Sequence, residues 1–263
     1  MDSATTYTIG AIAIVALFVA DALRAPDYWE SFKRGRRRNR TLAYTASSIA
    51  VLISLGELSK VVKAVTPDLL GVADYPWVDF VGVFLFAELV NWGLHYVKHH
   101  GYLWNFHYQH HISKYYNTLL TCYTHGGEVI LSGIFSGACM AMVGFSQEAI
   151  NAYFLFYSVA NTYQHSSANL SLGILDYVIV SPRYHRVHHS KSHSANYGNT
   201  LTVWDIVFRT ALFPARDDQK QDIGINDSGE AYGWWAEFFY FLRAKQNTTR
   251  QPRSRRMTNI EQS

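Results

Sequence analysis

Apolar residues along this chain fall in blocks long enough to cross a bilayer. The stretch TYTIGAIAIVALFVADAL (6–23) is almost wholly apolar, with Asp21 near its end. At ~1.5 Å of rise per residue it approaches the ~30 Å hydrocarbon thickness. The basic run KRGRRRNR (33–40) follows it. A cleaved leader would carry positive charge before its apolar core. Here Asp2 precedes and the basic run follows, the pattern of an anchor whose C-terminal side faces the cytoplasm. TLAYTASSIAVLISLGEL (41–58) predicts a second span. No Lys or Arg lies between Lys63 and Lys98, so residues 65–75 are expected outside. PWVDFVGVFLFAELVNWGL (76–94) predicts a third span running inward. It carries Asp79 and Glu88, and acids within a span are costly and commonly functional. VILSGIFSGACMAMVGF (129–145) and AINAYFLFYSVANTY (149–163) predict an apolar hairpin whose arms are short for full spans, either tilted or re-entrant. Beyond about residue 165 the chain is polar or amphipathic. It ends in a basic tail, RQPRSRR (250–256), expected to be cytoplasmic and unstructured.

This pattern predicts an all-α, multi-pass integral membrane helical bundle contacting membrane lipids, with an N-terminal membrane hairpin over 1–75. The mean hydropathy of -0.06 hides it by averaging spans with polar segments. A formal net charge of +3 gives no reason to expect a nucleic-acid partner. Cys122 and Cys139 are the only cysteines, too few for a disulfide framework or a Cys-rich metal site. Any metal must be held by nitrogen and oxygen.

The histidines change the picture. The chain has 12, and nine fall in three runs: His95, His99 and His100; His107, His110 and His111; His185, His188 and His189. The last two runs share the pattern His-x-x-His-His. On a helix, residues i, i+3 and i+4 lie on one face, so each run is expected to aim its three imidazoles at one point. The topology above brings all three runs, and His165 after the hairpin, to the cytoplasmic face. Neutral imidazole is the commonest metal ligand. Eight to ten of them are too many for one ion and suit two, and imidazole is a competent ligand for iron. No zinc-protease His-Glu-x-x-His and no phosphate-binding loop is present.

The ordered set HYVKHHGYLWNFHYQHH, QHSSANL, SPRYHRVHHS and NYGNTLTVWDIVF resembles the fatty acid hydroxylase / sterol desaturase superfamily of membrane non-haem di-iron oxygenases, over roughly residues 80–210. The resemblance implies metal ligands at His95, His99, His107, His110, His111, His165, His185, His188 and His189, holding two iron ions (Fe2+/Fe3+). It implies supporting roles for Glu128, Asn196 and Asp205, with Asp205 accepting the second N–H of a ligand imidazole. Glu88, two helical turns before His95 and on roughly the same face, is read either as such a support or as a structural salt link. Several positions depart from the family pattern. Tyr96 stands where Arg is common, Glu88 where Asp is usual and Arg209 where Gly is usual; Trp92 is one place early. His100 is extra and competes with His99 as ligand. His125 is read as structural or supporting, His193 as a loop residue.

On this reading residues 76–215 form a hydroxylase-like catalytic domain with its site facing the cytoplasm, and 216–263 a polar C-terminal region. The resemblance implies hydroxylation or desaturation of an aliphatic C–H bond in a lipid-like substrate, using dioxygen. No electron-transfer domain is legible, so electrons are expected from a separate donor, a ferredoxin or a cytochrome with its reductase. The third span and the hairpin are expected to supply a slot for an alkyl tail. The alternative is a non-catalytic or transport-related histidine-rich metal-binding membrane protein. Ligands beyond the ends of spans, rather than at the midplane, disfavour transport.

Overall fold

The computed structural model describes residues 3–25, 60–101, 103–168, 172–214 and 222–225, with isolated positions at 28–29, 42–43, 46 and 239. The basic run 33–40, nearly all of the span expected over 41–58 and the tail 250–256 lie outside the described residues.

Seven α-helices are described: α1 (Ser3–Arg24), α2 (Pro76–His100), α3 (Trp104–His111), α4 (Gly126–Val143), α5 (Gln147–Gln164), α6 (Pro182–His188) and α7 (Val203–Val207). No strand occurs among the described residues; two isolated bridges, Ile179 with Leu201 and Ser190 with Ile223, are the only extended pairings. Helix ends follow local chemistry. Pro76 and Pro182 open α2 and α6, where a missing N–H costs nothing. Ser146 and Ser181 cap α5 and α6 with their hydroxyls. Gly144 ends α4 in the left-handed region, at φ 88°.

Thr5–Arg24, Pro76–His100 and Gly126–Val143 are long and apolar enough to cross a membrane. Their outward faces carry large apolar residues such as Ile12, Val15, Trp77, Val81 and Leu131, all exposed. That surface suits hydrocarbon rather than water. The hairpin arm α5 does not reach the same hydropathy, because it packs among α1, α2 and the loop after α3. Its hydroxyls turn back on the helix, Ser158 donating to the Phe154 carbonyl and Thr162 to that of Ser158. Between α2, α4 and α5 lies a dry core of Val83, Ala87, Met140, Phe145, Ala149, Ile150 and Tyr153.

The acids within the spans tie helices to loops. Asp79 accepts from the Ser146 N–H (2.9 Å) and hydroxyl (2.6 Å), fixing the α4–α5 turn against the start of α2. At the other end of the bundle, Asp21 accepts from the Thr118 N–H (2.7 Å), the Ser166 hydroxyl (3.0 Å), and the N–H (2.9 Å) and hydroxyl (2.6 Å) of Ser167. It thereby joins α1 to the loop after α3 and to the loop after His165. Asp21→Leu leaves the buried Thr118 N–H and the part-buried Ser167 N–H without their carboxylate, and a lost buried partner costs ~1–3 kcal/mol. We predict destabilisation of roughly 2–5 kcal/mol, read as a lower thermal unfolding midpoint in detergent. Asp21→Asn, which keeps one acceptor oxygen, should lose less. An unchanged midpoint for Asp21→Leu would show the loops to be held elsewhere.

Candidate metal centre

The histidines meet at the end of the bundle where α2 and α5 finish and α4 begins. They form two groups. His95, His99, His107, His111 and His188 make one; His110, His165, His185 and His189 make the other. Within each group the ligand nitrogens all lie within 4.8 Å of one another. The groups touch, with His111 stacked on His189 at 4.3 Å and His185 on His188 at 5.1 Å between ring centroids.

Each His-x-x-His-His run divides its rings, contrary to the expectation of one shared target. His107 and His111 enter the first group and His110 the second; His185 and His189 enter the second and His188 the first. Helix geometry gives the reason. At about 100° per residue, positions i and i+4 differ by about 40°, whereas adjacent positions diverge by the full ~100°. One short helix therefore serves two points. His95 and His99, four apart on α2, stay together. His100 lies outside both groups, exposed and stacked on Tyr96.

Acceptors behind the rings decide which nitrogen is bare. The Nδ1–H of His95 donates to the Tyr197 carbonyl (2.8 Å), of His165 to Asn161 (2.7 Å), of His188 to Ala195 (2.9 Å) and of His110 to Tyr123 (3.3 Å). That of His107 donates to Glu128 Oε1 (3.0 Å), which also pairs with Lys98 (2.8 Å). A carbonyl only accepts, so the proton of each neutral ring sits on Nδ1 and Nε2 presents a lone pair. Yet His95 Nε2 stands 3.2 Å from His107 Nε2, and His110 Nε2 stands 3.2 Å from His165 Nε2. Two lone pairs cannot hydrogen-bond. Nitrogens adjacent around one first-row ion at about 2.0–2.1 Å stand roughly 3 Å apart. The donor set thus fits a metal ion in each group. His99 Nε2 is buried with no partner among the described residues, as a further ligand requires.

The other expected supports stand elsewhere. Asp205 touches no histidine. Its oxygens accept from Trp92 Nε1–H (2.9 Å), the N–H groups of Tyr197 (2.8 Å) and Gly198 (2.7 Å), and the hydroxyls of Thr210 (2.6 Å) and Tyr184 (3.0 Å). Five donors fill the carboxylate, so it acts on His95 only through the Tyr197 backbone. Glu88 accepts from the Tyr153 hydroxyl (2.7 Å) and the N–H groups of Thr200 (2.8 Å) and Leu201 (3.0 Å) rather than from a ring. Asn196, at φ 61°, bonds Tyr184 and Leu212 and shapes the loop that offers Ala195 to His188. Of the four expected supports, Glu128 alone meets a ligand ring. His125 caps α4 by accepting from Gly127 N–H, and His193 pairs with Ser190.

Sequence reading missed Lys98 as the partner of Glu128, and the carbonyls of Tyr123, Asn161, Ala195 and Tyr197. Carbonyls carry no sequence signal. Asp21 did carry one, as an acid at the end of an apolar block. A cavity of about 80 Å³ touches both groups, and its wall is polar, with Asn91, Lys98, Glu128, Ser132, Asn161 and Gln164.

Burial holds the imidazoles neutral. It is the main cause lowering His110, His111, His185 and His189 far below the ordinary range, with neighbouring rings adding to it. Burial likewise brings His165 down to about 4 and His188 to about 3, against the opposing bonds to Asn161 and Ala195. In the unfolded chain these rings take protons near ~6.5. Between that pH and about 4 the unfolded state binds more protons, so stability falls as pH falls. The metal-free protein should show an unfolding midpoint that drops steadily from pH ~6.5 downward. A flat profile would mean that the rings charge without unfolding.

The model of the family described as fatty acid hydroxylase matches residues 80–210. The chain is 28% identical over 171 residues to the alkylglycerol monooxygenase of Danio rerio, covering 63% of this chain and 36% of that protein. It is 26% identical over 148 residues to the Caenorhabditis elegans enzyme of the same name, covering 55% and 29%. With the ornithine lipid hydroxylase OlsE of Rhizobium tropici it shares 39% over 64 residues, covering 23% and 19%. The chain thus spans about a third or less of the length of these curated relatives. No solved structure matches it. With residues 80–210 holding every histidine of the two groups, the chain belongs to the fatty acid hydroxylase family.

Proposed function

We propose that this protein is a di-iron lipid hydroxylase of a multi-pass membrane bundle, with its metal end facing the cytoplasm. The observation that carries the proposal is the pair of adjacent, buried imidazole groups whose bare nitrogens converge without hydrogens to share. The nine histidines are the proposed ligands: five from α2, α3 and α6 for one ion, four from α3, the end of α5 and α6 for the other. When bound, two iron ions would supply the reduction of dioxygen, with two electrons from a separate ferredoxin or cytochrome and two protons, so that one oxygen enters a C–H bond and the other leaves as water.

The chain's own part is to fix the rings and exclude water. Backbone carbonyls hold four rings by Nδ1. Glu128 holds a fifth and makes His107 a more basic ligand, while Lys98 keeps that carboxylate in place. His185 and His189, whose Nδ1 atoms have no partner among the described residues, are held by stacking on His188 and His111. The polar cavity favours a lipid oxidised near its headgroup over one oxidised deep in an alkyl tail. The relatives are named for lipid substrates, an alkylglycerol and an ornithine lipid.

Anaerobic loading with ferrous iron should give close to two ions per chain by elemental analysis; one or none would defeat the di-iron reading. His110→Ala and His188→Ala should each lose metal and abolish turnover, whereas His193→Ala and His100→Ala should keep both. Turnover is read as the gain of one oxygen by a lipid, using mass spectrometry of expressing against non-expressing cells. His193→Ala as damaging as His188→Ala would redraw the ligand set.

A further inference from the structure

The segment after Tyr197 follows α2 away from the histidines and back again. At Tyr197 its carbonyl holds His95. At Thr200 and Leu201 its N–H groups bind Glu88, two turns down the helix. Trp204, on α7, then donates its indole N–H to the Leu85 carbonyl (3.1 Å). The chain next turns back, with Asp205 bonding Trp92 and Phe208 stacking on the same indole at 4.2 Å. Leu85 is ten residues from His95, so the excursion reaches ~15 Å below the rings, close to the middle of α2. A second segment accompanies it: the Val180 N–H bonds the Thr200 carbonyl (2.9 Å), and the Thr202 N–H bonds that of Val178 (3.0 Å).

Apart from Asp176, which is partly exposed and accepts from the Leu172 N–H (3.0 Å), the surface of this double excursion is apolar and uncovered. Ile174, Tyr177, Val178, Ile206, Val207 and Phe208 are exposed by between 45% and 81%. This surface continues the exposed apolar face of α2 at Val81 and Leu85. Irregular backbone survives at membrane depth only where its polar groups are answered by protein. That is what Glu88 and Asp205 do here. They take up the N–H groups of Tyr197, Gly198, Thr200 and Leu201, and the Asp205 carbonyl accepts from Thr210 and Ala211.

We propose that residues 174–180 and 197–208 form a re-entrant element immersed in the acyl region of the bilayer, with Glu88 and Asp205 as the acceptors that make immersion tolerable. The occupant of the apolar surface is lipid hydrocarbon. The metal centre then sits at headgroup depth, with acyl chains beside the element that carries its Asn-Tyr-Gly loop. Arg209, exposed at the returning end near Trp92, extends to the headgroups. The inference rests on α2 crossing the bilayer, and the test includes that premise.

The test uses the full chain in phosphatidylcholine–phosphatidylglycerol vesicles, with Cys122 and Cys139 changed to Ser. A nitroxide label is placed singly at Ile174→Cys, Val207→Cys, Val81→Cys on α2, and Ser192→Cys in the exposed loop. Each is read for collision with oxygen, which favours hydrocarbon, and with a water-soluble nickel chelate. The ratio of oxygen to nickel collision at Ile174 and Val207 should match Val81 and exceed Ser192 several-fold. Val81 dry with both Ile174 and Val207 wet would overturn immersion and leave the spanning helix intact. Val81 wet would overturn the spanning reading and the immersion with it.

Discussion

Two imidazole nitrogens that both lack a proton repel one another, and here they are held about 3 Å apart in a buried interior. Everything around them works to keep that arrangement. Carbonyls at Tyr197, Asn161 and Ala195 claim the protons on the far side of the rings, so the near side cannot relax into hydrogen bonds. Burial removes the other escape, protonation, by making the charged ring expensive. What is left is a pair of sites whose repulsion only a cation relieves. A metal ion bound there would make binding and folding one free-energy balance.

The carboxylates divide the remaining work by position. Glu128, beside the rings, accepts from His107. Those along the helices, Asp21, Asp79, Glu88 and Asp205, satisfy backbone N–H groups where the chain leaves regular structure. Charge in a span drew attention during sequence reading as a mark of chemistry. Here it marks the places where loops pass beside helices and need an acceptor for their N–H groups.

Hydropathy made the long helices legible because hydrocarbon imposes length and composition on whatever faces it. The segments read over 129–145 and 149–163 match α4 and α5 to within three residues, and the one read from 76 starts with α2, which runs six residues past 94 to His100. The histidine runs were legible through their spacing and through a family resemblance that spans several separate motifs. Their division between two groups was not read, although the helical period contains it. The partners of Asp205 were beyond sequence: a Trp-Asp pair says that an acceptor is present, not that Tyr197, Gly198 and Thr210 reach it first.

The reciprocal division of the two His-x-x-His-His runs has a mechanical consequence. Each of the helices α3 and α6 gives two rings to one group and one to the other. A small rotation of either helix about its axis therefore tightens one group while loosening its neighbour. The two groups are linked through the same pair of helices, so an ion held in either one would bear on the ring positions of the other.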